Sequence, residues 1–224
     1  MVMLSNLDLI RRVPLFNMLT PEQAQSLAGS VEKRRYKRGE RVVEQGKNGE
    51  ALYILLTGRA RVLIADSQGR EVILATMRAG DCIGEMSIID NEPHSATVVA
   101  DAQSDVLLLA RDDFSRCVAE NAAIADAVMR GLVQRLRHAT NKISSLALMG
   151  VYGRVANFLL EFATVSEHRV YEIREKLTRQ DIAKSVGASR EMVSRVMKDF
   201  EEQGFIETLD NGTLRIFERR SAPR

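Results

Sequence analysis

Arg190, Glu191, Ser194, Arg195 and Lys198 lie close together and are interleaved with Met192, Val193, Val196 and Phe200. The apolar set is spaced i, i+1, i+4, i+8, so on a helix the two sets take opposite sides. A guanidinium fork matches the O6 and N7 acceptors of guanine, and a carboxylate accepts from the N4 amino group of cytosine. An ammonium group pairs with phosphate. On one exposed helix face this set has the chemistry to read base edges in a major groove. Without context it reads equally as the solvated face of a helical hairpin.

The context comes from the segment Thr178 to Ile206. Thr178 suits a helix N-cap, with Asp181 three residues on as in a capping box. Ile182, Ala183 and Val186 predict an inward face. Gly187 falls where a helix end needs a left-handed residue, and Ser189 suits the next N-cap. A small residue where two helices touch, a glycine in a short turn and a β-branched residue packing the second helix back make a helix-turn-helix pattern. Ser189 and Arg179, at the starts of the two helices, join the candidate DNA-binding set.

Other chemistries find no support. The formal net charge is only +2, so a nucleic-acid site must come from local arrangement. Residues 147–224 carry 13 Lys+Arg against 12 Asp+Glu, with Glu201, Glu202, Glu207 and Asp210 beyond the second helix. Two cysteines, Cys82 and Cys117, make neither a disulfide framework nor the thiolate set of an iron–sulfur cluster. His94, His138 and His168 show no metal-ligand spacing. No P-loop, GxSxG or HExxH occurs, and the close carboxylates Asp112-Asp113 and Asp81 with Glu85 have no neighbouring histidine, so an enzyme is not expected. The longest apolar run, Ala51–Leu56, is far short of the roughly 20 residues that span a bilayer. No basic stretch leads an apolar one at the start of the chain. A cytoplasmic protein without a membrane partner is expected.

The elements that would position this site follow from texture. Residues 5–30 read as short helices, with Thr20-Pro21-Glu22 as a helix start. From about 33 to 110, glycines recur between strand-like runs: Arg41–Val43, Ala51–Leu56, Arg61–Ala65, Val72–Thr76, Ala96–Ala100 and Val106–Leu109. Ser67-Gln68-Gly69 is a hairpin turn. About eight short antiparallel strands are expected. From about 112 to 150 the texture changes again, with no proline and glycine only at 131 and 150, and a long helix is expected within it. Ala125, Met129, Leu132, Leu136, Ala139, Ile143, Leu146 and Gly150 are spaced alternately 4 and 3. That seam predicts a homodimeric coiled coil, against the alternative of one amphipathic helix lying on its own roll. Beyond it the pattern predicts a helix over about 151–165, a polar loop, the two short helices and a hairpin at Asp210-Asn211-Gly212.

Taken together, these segments resemble the superfamily of the cyclic-AMP receptor protein and the fumarate–nitrate regulator over nearly the whole chain. The resemblance rests on Ser189-Arg190-Glu191…Arg195, on Gly80-Asp81…Ile83-Gly84-Glu85-Met86…Pro93-His94-Ser95-Ala96-Thr97, and on the helix around Arg135–Val155. It implies an α+β chain. An N-terminal antiparallel β-roll of the cyclic nucleotide-binding type would occupy 1–118, a dimerisation helix 119–150 and a C-terminal winged helix-turn-helix 151–224. It further implies a homodimeric transcription regulator that binds double-stranded DNA at a TGTGA-like palindrome and works with RNA polymerase.

The same resemblance makes Gly84, Glu85, Met86, His94, Ser95 and Thr140 the effector-binding candidates. His94 stands where the family has an arginine that clamps the cyclic phosphate, and Ala139 replaces the first of two polar residues that meet adenine. A permanent bidentate cation is thereby exchanged for at most a partial charge. The implied effector is a nucleotide second messenger, with cyclic di-GMP, to which some members of the superfamily lacking the intact cassette respond, placed ahead of cyclic AMP. Arg130, Arg135, Arg137, Arg154 and Arg174 are the candidates for binding guanine. The alternative is an effector-independent regulator of the same fold, controlled by its abundance.

Overall fold

The computed structural model describes residues 5–17, 19–165, 171–175, 177–209 and 211–217. They divide into two compact units, 1–137 and 138–224. No helix among the described residues is long and apolar enough to cross a membrane.

The first unit opens with two capped helices. α1 (Asn6–Arg11) starts at Ser5, whose hydroxyl accepts the Asp8 N–H. α2 (Pro21–Ala28) starts at Thr20, with Pro at the first position and a reciprocal bond between the Thr20 N–H and Gln23 Oε1 at 3.0 Å. The roll follows as eight strands: β1 (Val31–Tyr36), β2 (Arg41–Val43), β3 (Ala51–Thr57), β4 (Ala60–Ala65), β5 (Glu71–Met77), β6 (Cys82–Ile83), β7 (Thr97–Ala100) and β8 (Ser104–Ala110). They form two four-stranded sheets, β1-β8-β3-β6 and β2-β7-β4-β5. The expected hairpin joins β4 to β5, with Gly69 at φ 76°.

Leu52, Ile54, Leu107 and Leu109 bury one face of the first sheet against Ile10, Phe16, Phe114 and Ile124 of the helices. Leu55, Ala60, Val98 and Val106 fill the space beside the second sheet. Two strands lay outside the sequence expectation. β1 is the charged run Val-Glu-Lys-Arg-Arg-Tyr, and its order comes from pairing along β8, where Asp105 meets both Lys33 and Arg35. β6 is only two residues long and pairs with β3.

Helix α3 (Glu85–Ile89) is inserted between β6 and β7, and α4 (Arg111–Glu120) follows β8. Helix α5 then runs from Ala122 to Leu148. The 4-3 seam lies along it, except for Gly150, which is extended at ψ 169° and caps the next helix. Met129, Leu136, Ile143 and Leu146 are 57, 67, 66 and 46% exposed in a single copy.

The second unit contains α6 (Val151–Phe162), β9 (Thr164–Val165), β10 (Tyr171–Ile173), α7 (Arg179–Val186), α8 (Arg190–Glu202), β11 (Ile206–Thr208) and β12 (Leu214–Ile216). The helix expected over about 151–165 ends at Phe162, and its last two expected residues, with part of the polar loop expected beyond it, are strand. Residues 164–165 and 171–173 pair and extend the C-terminal hairpin into the sheet β11-β12-β10-β9. Strands this short carry too little alternation to be read before their partners are known. Of the hairpin turn, Asn211 and Gly212 are described, while Asp210 lies outside the described residues. Val155, Leu159, Ile173, Ile182, Val193, Val196 and Met197 form the core of this unit.

Gly187 ends α7 at φ +62°, ψ +50°, donating its N–H to the Ala183 carbonyl. A Cβ there would sit 3.4 Å from Leu146 Cδ2. Gly187→Ala is expected to lower stability by about 1–2 kcal/mol, the usual cost of a left-handed L-residue. Equilibrium denaturation checks this, and an unchanged midpoint would show that the turn relaxes without cost.

Candidate functional site

The base-reading candidates are carried by α8, whose apolar side is locked down. Val193, Val196 and Met197 are fully buried, and the Ser189 hydroxyl accepts the Met192 N–H at 3.1 Å. That cap fixes where the helix begins. It places Arg190 and Glu191 in the first turn, with Ser194, Arg195 and Lys198 beyond, all exposed. Lys198 lies 3.5 Å from Glu202 one turn on. Arg179, the first residue of α7, is half-buried.

Beyond Arg195, α8 is held by partners that sequence reasoning did not foresee. The Tyr152 hydroxyl of α6 donates to the Asp199 carboxylate, and the Tyr152 ring packs edge-on to Phe200 at 5.9 Å. The bond to Asp199 pushes the Tyr152 phenol above its usual acidity range. Arg154 was a candidate for binding guanine, but its guanidinium donates to the Val186 carbonyl at 2.8 Å and the Met149 carbonyl at 2.7 Å. A cation on the last carbonyls of α7 suits the negative end of that helix.

A second constellation lies in the first unit. Gly84, Glu85, Met86, His94 and Ser95 all line one cavity of about 90 Å³, so the structure brings five of the six effector candidates together. Gly84 reaches α3 at φ +88°, and a Cβ there would meet the Ala51 carbonyl at 3.1 Å and His94 Cε1 at 3.3 Å. Thr140, the sixth candidate, is an exposed residue of α5 in the second unit.

Glu85 is 5% exposed, and Arg135 lies against it with Nη1 2.5 Å from Oε1. The same guanidinium donates to the Cys82 carbonyl. Oε2 of Glu85 is buried with no partner among the described residues. Burial raises the Glu85 pKa, and Arg135 opposes that rise. Burial also pushes the Cys82 thiol up to about 12, which suits a small buried hydrophobe rather than a reactive thiolate. His94 is 8% exposed, with Nδ1 2.9 Å from the Ser87 hydroxyl. Arg111, at the start of α4, donates to the carbonyls of Gly49 and Ser87 and so ties together the two segments flanking His94. Arg135, Ser87 and Arg111 are far from one another in sequence and left no local signal of this arrangement.

Arg135→Met is expected to leave the Glu85 carboxylate buried without its cation. After discounting for the partial exposure of Arg135, the cost is about 1–3 kcal/mol. Glu85 already has a folded pKa above its unfolded value. A carboxylate so shifted opposes folding as pH rises through and above the unfolded value, and removing Arg135 enlarges the shift. The deficit is therefore larger at pH 8 than at pH 5, where protonation relieves it. Denaturation curves at the two pH values test this, and equal deficits would contradict it.

Two family descriptions match the chain: a cyclic nucleotide-binding domain over residues 33–121 and a Crp-like helix-turn-helix domain over residues 153–221. The CRP-like cAMP-activated global transcriptional regulator of Mycobacterium tuberculosis is 29% identical over 220 residues, covering 97% of this chain and 98% of the relative. The cAMP-activated global transcriptional regulator Vfr of Pseudomonas aeruginosa is 32% identical over 200 residues, covering 87% of this chain and 93% of the relative. Among solved structures, a CooA mutant from Carboxydothermus hydrogenoformans has the same fold, with a TM-score of 0.76, 21% identity and coverage of 94% of this chain and 95% of that one.

Proposed function

Because the chain belongs to the CRP-like family of DNA-binding transcription regulators, we propose that it acts as a homodimer joined along α5, reads an inverted repeat with α8 and is gated by a cyclic mononucleotide held in the roll. The relatives are named as transcriptional regulators, a non-enzymatic class. The observation that carries the reading is the Ser189-capped helix. Its apolar face is buried while Arg190, Glu191, Ser194 and Arg195 stand exposed at its N-terminal half. The N-terminal part of a recognition helix is the part that reaches base edges.

The dimer reading rests on Met129, Leu136, Ile143 and Leu146, large apolar side chains exposed on one helix at coiled-coil spacing. A seam of that period is self-complementary, so a second copy related by a two-fold axis is the occupant that fits it. Two-fold symmetry in the protein calls for a palindrome in the DNA, with TGTGA-like half-sites about 34 Å apart. The working partner is RNA polymerase, in the cytoplasm.

The effector reading rests on Glu85, which lines the cavity and whose buried Oε2, without a partner among the described residues, would accept from a sugar hydroxyl. A cavity of about 90 Å³ is small against the roughly 300–1,000 Å³ of small-molecule sites, so the walls must open for any nucleotide. A mononucleotide asks less of them than a dinucleotide. The arginines offered for a guanine dinucleotide also have local work: Arg130 pairs with Asp126 at 2.7 Å, Arg174 with Glu172 at 3.5 Å, and Arg154 with its two carbonyls. Cyclic AMP is therefore favoured over cyclic di-GMP, in keeping with the cAMP-activated relatives.

Fluorescence anisotropy of the full chain on a labelled palindromic duplex tests the gating. Cyclic AMP is expected to tighten DNA binding at least tenfold, and cyclic di-GMP to leave it unchanged. The same affinity in every arm would mean that the regulator responds to its own abundance, and the gating reading would fall.

A further inference from the structure

His94 is a fixed part of the cavity wall. Its backbone N–H donates to the Lys47 carbonyl and its carbonyl accepts the Gly46 N–H, both at 2.8 Å. Its ring packs so closely on Gly49 that a Cβ there would lie 3.0 Å from Cε1. With Nδ1 held 2.9 Å from the Ser87 hydroxyl, the ring cannot swing away without breaking that bond. An anionic ligand in the cavity would therefore meet this imidazole.

The surrounding charges are already committed. On α5, Arg135 is paired with Glu85 and bonded to the Cys82 carbonyl. Arg111 donates to the carbonyls of Gly49, Ser87 and Ile88 and to Asn91. Glu85 on α3 contributes a carboxylate, the edge of the Tyr53 ring on β3 lies close to Gly84, and the loop before β3 carries Lys47 and Glu50. An incoming phosphate thus gains no unengaged guanidinium here, and it adds a second negative charge to a cavity that already holds Glu85.

We propose that this cavity takes an anionic nucleotide together with one proton, which settles on His94, so that effector affinity rises as pH falls. The proposal rests on the reading of the cavity as a nucleotide site. A neutral imidazole has one donor and one acceptor nitrogen, and an imidazolium has two donors. In the ligand-free cavity burial holds the His94 pKa below its ordinary value, so the ring is neutral at physiological pH. A phosphate beside it shifts the balance the other way. Protonation makes both ring nitrogens donors. Ser87 Oγ then accepts from Nδ1, and its own O–H is released toward the ligand. The proton comes from solvent, and no bond other than N–H is made.

Linkage sets the size of the effect. If one proton is taken up per site, affinity changes up to tenfold per pH unit between the free and bound pKa values of His94, and levels off outside them. This is the sign for a base whose pKa rises on binding. The cyclic phosphodiester is strongly acidic and does not itself titrate in this range.

Calorimetric titration of the full chain with cyclic AMP from pH 5.5 to 8.5, in buffers of differing ionisation heat, tests the proposal. The expected result is uptake of close to one proton per site and an affinity that drops by an order of magnitude or more across the range. His94→Arg should bind tightly at every pH. His94→Gln, which keeps a neutral polar group if arginine proves too large to fold there, should bind weakly at every pH. A pH-independent affinity in the unmodified protein would overturn the proposal. So would a dependence that survives in His94→Gln, since it would belong to Glu85. Binding by His94→Arg alone would overturn the proposal while the nucleotide-site reading stood, and no binding by any of the three proteins would overturn both.

Discussion

Leu136→Arg is expected to convert the protein to a monomer. Leu136 sits at the centre of the α5 seam and is 67% exposed in a single copy. In the proposed dimer it faces its own equivalent, so the substitution sets two guanidinium groups against each other in an apolar interface. An unpaired buried charge costs on the order of 3–5 kcal/mol, which weakens dimerisation by two to three orders of magnitude or more. The same side chain is solvated in the monomer, where a surface substitution costs within about 0.5 kcal/mol. The variant should therefore keep its helix content while changing mass in sedimentation velocity. An intact dimer would refute the seam. A monomer with one half-site per chain should also lose most of its affinity for a palindrome, since the two recognition helices would no longer bind as one unit.

Loss of base readout is the second large effect. Arg190 and Arg195 lie five residues apart on α8, roughly 7 Å along the helix axis at 1.5 Å per residue. That is about two base-pair steps, so one helix reaches two guanines flanking an intervening pair, as a TGTGA-like half-site requires. Arg195→Ala is expected to cost about 1–3 kcal/mol and to relax preference at one guanine only. The Arg190→Ala, Arg195→Ala double variant should lose roughly the sum, leaving a protein close to its non-specific affinity. Lys198→Ala, with its side chain 75% exposed, should instead weaken all sequences alike and lower the salt slope by about 1. Anisotropy titrations at several salt concentrations separate the two kinds of loss. A guanine preference undiminished by Arg195→Ala would remove that residue from the readout.

The elements that were legible in the sequence are those whose signal is local. The Thr178 and Ser189 caps, the left-handed Gly187 and the buried face of Val193 and Val196 each follow from a few neighbouring residues. The six apolar strand runs and the 4-3 seam are likewise periodic over short stretches. What was hidden is what depends on distant partners. β1 reads as a charged segment until β8 lies beside it, and Asp105, with a pKa held down to about 2 by Arg35 and Lys33, shows how that pairing absorbs the charge. β9 and β10 become strands only by joining the C-terminal hairpin.

The cavity shows the same division. Gly84, Glu85 and His94 stand in one sequence stretch, but the residues that decide its electrostatics come from elsewhere. Arg135 reaches Glu85 across 50 positions, and Arg111 reaches Gly49 across 62. The local role of Arg154 was hidden for a related reason: a surface arginine and one that caps a helix end have the same composition and differ only in which carbonyls lie within reach.

Selection of binding sites from random duplex DNA by the unmodified full chain, with cyclic AMP present, tests the central claim most directly. The account predicts an inverted repeat, with two TGTGA-like half-sites about 34 Å apart centre to centre and two guanines specified in each. Recovery of a single half-site, a direct repeat or sequences with no symmetry would contradict it.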